Sequence, residues 1–468
     1  MGEPASLDAF FNPRSVAVIG ATENPGFGYV PTRNILSHPS VKSYLVNVKG
    51  GKVMGVKVLR SVKDIPEPVD LAVVIVPSRA VVDVLRDCAE KGIRHVIVES
   101  AGFSETGKEG ARMERELVEL AKANGVRVMG PNCVGVVNTS NMFTTADVDV
   151  ASLIRGGIAF VGQSGIFGTS IVDWACSRGI GLSKVVTLGN KCDVDEVDVV
   201  EYLADDEETK VICLYIEGVK PGRGRKLIET FKRASARKPV LVLKSGRTET
   251  GARAVMSHTG SIAGSDEVFS AALKQAGAIR VESIDELLYT AMAFTSQPLP
   301  SDGGVAVLTN SGSLAAMLCD ELDSLGIKLA SFTRETRSKL EEAAPSWASC
   351  RNPVDVGPAV IESAAPIVEL LGRDPNVGSM IFIFAIPGIV ANPRYFGADL
   401  TPFFKHLGDI ASRSRKPTVV LGFGDEKVVQ MVEEGFKQFN IPVLRSLTLT
   451  ARVLAALYQY KSVVNRLK

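Results

Sequence analysis

Residues 156–165, GGIAFVGQSG, and residues 303–312, GGVAVLTNSG, are two versions of one phrase: a Gly-Gly pair, an apolar run of strand length, and a turn closing on Ser-Gly. The likeness continues downstream. GIFGTSIVDWACSRGIGLSKVVT aligns with SLAAMLCDELDSLGIKLASFT, and the strands KPVLVLKSG and KPTVVLGFG close the two halves. A strand, a Ser-Gly turn, a helix and further strands, repeated at domain spacing, predict an internal duplication. The apolar runs are continuous rather than alternating, so the strands are expected to be buried on both faces of a mostly parallel sheet.

The same pattern precedes the repeat, where SVAVIG, SYLVNV, LAVVIV, HVIVES and VRVMG are separated by helical stretches. The sequence therefore predicts an α/β protein of three doubly wound parallel-sheet domains, at 1–148, 149–298 and 299–468. The second boundary falls in TSQPLPSDGG, a Pro/Gly/Ser-rich linker. The length of 468 residues fits about three domains.

With 53 basic against 52 acidic residues there is no electrostatic case for nucleic acid or an anionic membrane. No secretory signal opens the chain, and no run approaches the roughly 18 apolar residues of a membrane span. The N-terminal M-G-x-x-x-S matches the minimal myristoylation pattern, too short a match to separate from chance. Seven scattered cysteines form no C-x-x-C pair and no zinc set, so no metal site is expected and reduced thiols in a cytoplasmic protein are. Any anion must be held locally.

Three loops could do so. The first, Ala21-Thr22-Glu23-Asn24-Pro25-Gly26-Phe27-Gly28, leaves the strand SVAVIG and opens a helix whose N-terminal amides suit an anion. Its spacing from Gly20 is not G-x-G-x-x-G, and the second strand ends in Asn47-Val48-Lys49 rather than an acid, which weakens a dinucleotide reading and favours a further phosphate. A tight turn without ligand is the alternative. The second and third loops are the repeated turns Gln163-Ser164-Gly165 and Asn310-Ser311-Gly312, each either an N-capping serine or, as a duplicated pair, a phosphate cradle made of helix dipoles.

Of four histidines, His258 stands apart, in SHTGSIAGS within a low-bulk stretch at 245–265 read as a long loop. A mobile surface loop that happens to carry a histidine is one reading. The other is a nucleophilic imidazole able to carry a phosphoryl group, if a neighbour fixes its tautomer. Glu217, ending the strand VICLYIEG, is either that neighbour or a solvated strand-end acid.

Together GATENPGFG, ESAGF, GPNCVG, GQSG, IEG, SHTGS and RNPVDVG resemble, in order and over essentially the whole chain, the α subunit of the ADP-forming acyl-CoA synthetases of the acetyl-CoA type. The pattern is more distantly similar to succinyl-CoA synthetase, whose α subunit would end after two domains. The resemblance implies a Rossmann-like CoA-binding domain followed by two flavodoxin-like ligase domains. It implies CoA contacts from Gly20, Ala21, Thr22, Lys49, Pro77 and Ser78, and a phosphate cradle from Ser164, Gly165, Ser311 and Gly312. His258 would be the phosphorylated residue with Glu217 its partner, and Asn190, Asp193, Asn352 and Asp355 would lie near the acyl site. Acyl-CoA and phosphate would give acyl phosphate and CoA, His258 would take the phosphoryl group, and a mobile loop would carry it to ADP. The chain has no G-x-x-x-x-G-K-[ST] and nothing like an ATP-grasp module. The resemblance thus implies a β partner that binds ADP/ATP and Mg2+, in an α2β2 heterotetramer acting on a small carboxylic acid. The competing reading is a CoA-binding regulator or scaffold without turnover.

Overall fold

A computed structural model describes residues 6–259 and 265–467, with the side chains at 256–259 outside what is described. The chain packs as two compact units, Met1–Glu282 and Ser283–Lys468.

The first unit contains two seven-stranded sheets. In the first sheet the order is Lys52–Val53, Val56–Leu59, Lys42–Val46, Ser15–Ile19, Leu71–Val74, His95–Val98, Arg127–Met129. All neighbours are parallel except the short pair Lys52–Val53 and Val56–Leu59. Each apolar run of the sequence became a strand because both sheet faces are covered: Leu71–Val74 is buried at every position. The second sheet runs Ile279–Val281, Val240–Lys244, Val211–Ile216, Arg155–Gly162, Leu182–Thr187, Val136–Asn138, Phe143–Thr144. Its last two strands are antiparallel additions at one edge.

The central strand of each sheet ends between neighbours on opposite sides. Gly20 follows Ser15–Ile19 between Lys42–Val46 and Leu71–Val74, and Gln163 follows Arg155–Gly162 between Leu182–Thr187 and Val211–Ile216. Such switch points open a crevice at the carboxyl ends of the strands, where ligands of open α/β sheets bind.

The stretch at 245–265, expected as a loop, instead contains the helix Glu249–Thr259. Small residues suggested disorder, yet Glu249, Ala252, Arg253 and Ala254 are sound helix formers. The Thr248 hydroxyl accepts from the Gly251 amide 3.1 Å away, which caps the start. Residues 260–264 lie outside the described residues.

The second unit is built on a five-stranded, fully parallel sheet in the order Val354–Asp355, Gly304–Thr309, Val377–Phe384, Thr418–Gly422, Val443–Leu444. Val377–Phe384 is buried at all eight positions. The helices Ile284–Ser296 and Leu447–Leu467 pack against each other, with Glu286 and Arg452 ion-paired at 3.3 Å. Where the first half of the repeat has the full strand Leu182–Thr187, the second keeps one isolated parallel bridge, Val305 to Leu329. Among the described residues, no helix is long and apolar enough to cross a membrane.

Candidate active site

Gly20 turns out of the first central strand with φ +98°, and a Cβ there would stand 2.1 Å from the Ile75 carbonyl oxygen. Only glycine fits so close a backbone approach. Its amide donates to the Val46 carbonyl at 2.8 Å, and the Asn47 side-chain amide donates to the Ala21 carbonyl at 3.2 Å, which ties the turn to the end of the neighbouring strand. The Asn47 side chain thus braces the turn. The Thr22 hydroxyl accepts from the Asn24 amide at 3.1 Å, and the exposed Lys49 follows with its amide held by Asn47 at 3.1 Å. Pro77 stands just before the helix Ser78–Lys91, and Ser78 is its first residue.

The second turn is built differently. Ser164 precedes the helix Gly165–Ser177 with extended backbone, and its hydroxyl makes no capping bond, contrary to the capping alternative. A Cβ on Gly165 would meet a Val134 methyl at 2.4 Å. Beside it, the Gln163 side-chain oxygen accepts from the Glu217 amide at 2.5 Å and the Gly218 amide at 3.2 Å. Lys244 Nζ donates to the Glu217 carbonyl at 2.8 Å, and Lys191 Nζ to the Gly218 carbonyl at 2.7 Å. Four bonds therefore clamp the two residues that follow the strand Val211–Ile216. Glu217 is 2% exposed, which removes the solvated-acid alternative, and its carboxylate accepts from the Tyr215 hydroxyl at 3.3 Å. Burial pulls the Lys244 ammonium below its ordinary range.

In the second unit, Ser311 occupies the same place before the helix Gly312–Ser324, again without a side-chain cap. Asn310 takes the role of Gln163, donating to the Ala385 carbonyl at 3.1 Å and accepting from its amide at 2.8 Å. A Cβ on Gly312 would meet the Asp355 carboxylate at 2.7 Å.

The four acyl-site candidates hold chain to chain. Asn190 donates to Glu105 at 2.6 Å, Glu114 at 2.9 Å and Ser104 at 3.1 Å. Asp193 accepts from the Arg127 guanidinium and the Val128 amide, both at 2.9 Å. Asn352 spends its side chain on Val305, Val307 and Ala330 at 2.7–3.0 Å. Asp355 accepts from the Gly357 amide at 3.0 Å. His258 falls within the helix Glu249–Thr259, and its side chain lies outside the described residues.

A cavity of about 710 Å³ in the first unit joins several of these elements. Phe27, Ile75 and Pro77 line it from the first sheet, and Gln163, Ser164 and Gly165 from the second. Of the predicted residues, it brings together Pro77, Ser164 and Gly165; Gly20, Ala21, Thr22, Lys49, Ser78, Asn190, Asp193 and Glu217 are not among its walls. Two of the wall residues whose side chains were given no role by the sequence reading are Gln163 and Glu99. Gln163 has its partners 54 and 55 residues away, with no local signal beyond its repetition as Asn310. Glu99, 2% exposed, could have been noticed as an acid ending the otherwise apolar run HVIVES. Cys133 also lines the cavity, and burial raises its thiol far from the thiolate a nucleophile needs.

Family models match twice: a CoA-binding domain over residues 14–139 and a succinyl-CoA ligase-like flavodoxin domain over residues 155–294. The Pyrococcus furiosus acetate–CoA ligase (ADP-forming) II subunit alpha is 42% identical over 437 residues, 92% of this chain and 93% of that one. The 4-hydroxybutyrate–CoA ligase (ADP-forming) of Nitrosopumilus maritimus is 41% identical over 376 residues, 79% of this chain and 53% of that one, so this chain matches about half of its length. The solved Ca. Korarchaeum cryptofilum dinucleotide-forming acetyl-coenzyme A synthetase 1, in complex with phosphate and ADP, superposes with a TM-score of 0.90 at 32% identity, covering 98% of each chain. On this likeness along nearly its full length, the chain belongs to the ADP-forming acyl-CoA synthetase family, with the alpha subunits of ADP-forming acetate–CoA ligase among its relatives.

Proposed function

We propose that the chain is the alpha subunit of an ADP-forming acyl-CoA synthetase, which converts acyl-CoA, phosphate and ADP to a carboxylic acid, CoA and ATP. The observation that carries this reading is the shared cavity: loops of the CoA-binding domain and the Ser164-Gly165 helix start line one space. A thioester and a phosphate held there can meet.

In the reading we favour, the turn at Gly20, Ala21 and Thr22 and the helix start at Pro77-Ser78 hold CoA, with Lys49 on a CoA phosphate. Phosphate sits on the first amides of the helix Gly165–Ser177, which have no partners within the helix. The Ser311-Gly312 turn is a second phosphate-binding turn of the same design. A phosphate oxygen attacks the thioester carbonyl carbon, the C–S bond breaks, and CoA leaves as the thiol. The imidazole of His258 then attacks phosphorus of the acyl phosphate, the P–O bond to the acyl group breaks, and the carboxylate leaves. Glu217, its backbone clamped by Gln163, Lys191 and Lys244, orients the imidazole and stabilises its positive form. ADP takes the phosphoryl group at a partner's site.

The division into domains at 1–148, 149–298 and 299–468 belongs to the same reading. So do the ATP-grasp β subunit with its ADP/ATP and Mg2+ sites, the α2β2 assembly and a cytoplasmic location. Relatives in which this chain matches only part of a longer polypeptide support a partner module.

The test is reconstitution with an ATP-grasp β chain of the same family, following ATP formed from ADP, phosphate and acetyl-CoA. Turnover that requires both chains is expected, and CoA binding without turnover would favour the scaffold.

A further inference from the structure

The helix Glu249–Thr259, which carries His258, has 11 residues and includes Gly251, so it is marginal on its own and needs tertiary packing to persist. Among its described side chains only Val255 is buried. The element it packs against most extensively is the short turn Ser104–Thr106. That turn is built as a rigid support. The Glu105 carboxylate accepts from the Gly102 amide at 2.5 Å and the Phe103 amide at 3.0 Å. Glu114, from the helix Lys108–Ala123, accepts from the Ser104 amide at 3.2 Å and the Ser104 hydroxyl at 2.7 Å. Asn190 joins the two acids, its side-chain amide reaching Glu105 at 2.6 Å and Glu114 at 2.9 Å. A Cβ on Gly110 would stand 1.8 Å from the Phe103 carbonyl oxygen, so the helix Lys108–Ala123 lies directly under the turn. Partial burial would raise the Glu105 carboxyl, but the hydrogen bonds from Asn190 and from the Gly102 and Phe103 amides outweigh it and hold it below its ordinary value. Glu105 is therefore ionised, and its bonds are of the strong, charge-assisted kind. Two carboxylates drawn to one amide repel each other, a cost that a plain connecting turn has no need to bear. The support also continues the cavity wall: Ser100 and Ala101 line the cavity and lead into Gly102, and Gly189 lines it and leads into Asn190. The helix that carries His258 thus rests on a turn braced by both segments that leave the wall.

We propose that Glu105 and Asn190 are positioning residues: they fix the Ser104–Thr106 turn as the seat on which the helix Glu249–Thr259 lies while His258 takes the phosphoryl group. The proposal rests on the phosphohistidine reading above and adds what holds the carrier at the place of loading. In that step the N–P bond forms, the P–O bond to the acyl group breaks and the carboxylate leaves; Glu105 and Asn190 touch none of these atoms and act through the seat alone. Attack needs the ring nitrogen near phosphorus and in line with the leaving oxygen, and a misplacement of about 1 Å costs about 100-fold. A seat at one end of the transfer differs from a general stabiliser in a way that can be measured. It acts on the loading of His258 and drops out once the phosphorylated segment has moved to the partner's site, where ADP discharges it.

The experiment uses the full chain as wild type, Glu105→Ala, Asn190→Ala, the double variant and Glu105→Gln, and separates the two half-reactions. Loading is followed as the gain in intact mass with acetyl phosphate. Discharge is followed as the loss of that mass when chain loaded to completion is mixed with ADP, Mg2+ and an ATP-grasp β chain of the same family. Hydrogen exchange reports on residues 249–259. The expected result is loading slowed about 10- to 100-fold in both alanine variants, with discharge within about twofold of wild type. Exchange over 249–259 should rise while the strands His95–Val98 and Val240–Lys244 stay protected. The double variant should load about as slowly as either single one, because both residues act through one seat. Glu105→Gln keeps the size of the side chain and an acceptor for the Gly102 amide, so it should load with a milder defect, and it carries the comparison where an alanine variant loses its strand protection. Loading at the wild-type rate, equal slowing of loading and discharge, or unchanged exchange over 249–259 would overturn the proposal while the phosphohistidine reading stands. If wild type itself does not load with the β chain present, it is that reading that fails.

Discussion

The turns at Ser164-Gly165 and Ser311-Gly312 share a backbone design and differ in what surrounds it. Both follow a buried central strand, both place an uncapping serine before a helix, and both tie the preceding amide side chain to the end of the adjacent strand. In the first, that tie reaches Glu217 and Gly218, a carboxylate-bearing corner clamped by two lysines. In the second it reaches Ala385, which brings no chemistry. Gly165 lies against a Val134 methyl, whereas Gly312 lies against the Asp355 carboxylate. The second turn also spends the Thr309 hydroxyl on its own Ser311 amide at 2.9 Å, where the first has Gly162. The two turns thus share a backbone and differ in the side chains set around it.

The largest expected asymmetry concerns the tying side chains. Gln163→Leu leaves the buried Glu217 and Gly218 amides unpaired and frees the corner that carries Glu217, so turnover with the partner chain should fall about 100-fold. Asn310→Leu should destabilise its unit by about 1–3 kcal/mol while lowering turnover less than about tenfold. Equal losses of turnover, measured side by side, would mean that the two turns contribute alike.

Next come the glycines. Gly165→Ala drives a methyl into Val134 and should cost about 1–3 kcal/mol in denaturant unfolding, with most of it recovered in Gly165→Ala/Val134→Ala. Gly312→Ala should respond instead to Asp355→Ala. Rescue of either glycine variant by the other's partner would break the contrast.

The smallest effect is one of pH. The folded-state carboxyl of Glu99 lies above its ordinary value. Its contribution is therefore fully present below the unfolded value of about 4.3 and is lost as pH rises toward the folded one. Glu99→Gln should match wild type near pH 4 and gain about 1 kcal/mol near pH 8, a rise in Tm of about 2–4 °C.

What could be read from the sequence follows from range. Continuous apolar runs such as LAVVIV became strands because a parallel sheet buries both faces, a property each run carries within itself. The Ser-Gly turns were legible through their repetition. The helix Glu249–Thr259 was hidden because its small residues suggest a loop, and its few helix formers and Thr248 cap are the weaker local signal. Asn190 and Asp193 looked available in a polar loop, yet Glu105, Glu114 and Arg127, 66 to 85 residues away in the chain, take up their side chains. Glu99 shows the converse: an acid ending an apolar run drew no notice in the sequence, and the fold buries it.

The central claim is that His258 carries the phosphoryl group. Purified wild type and His258→Ala, incubated with acetyl phosphate and weighed intact before and after acid, test it most directly. The account predicts a phosphate-sized, acid-labile gain in wild type that is missing in the variant. No gain in wild type with the β chain present, or an equal gain in the variant, would contradict it.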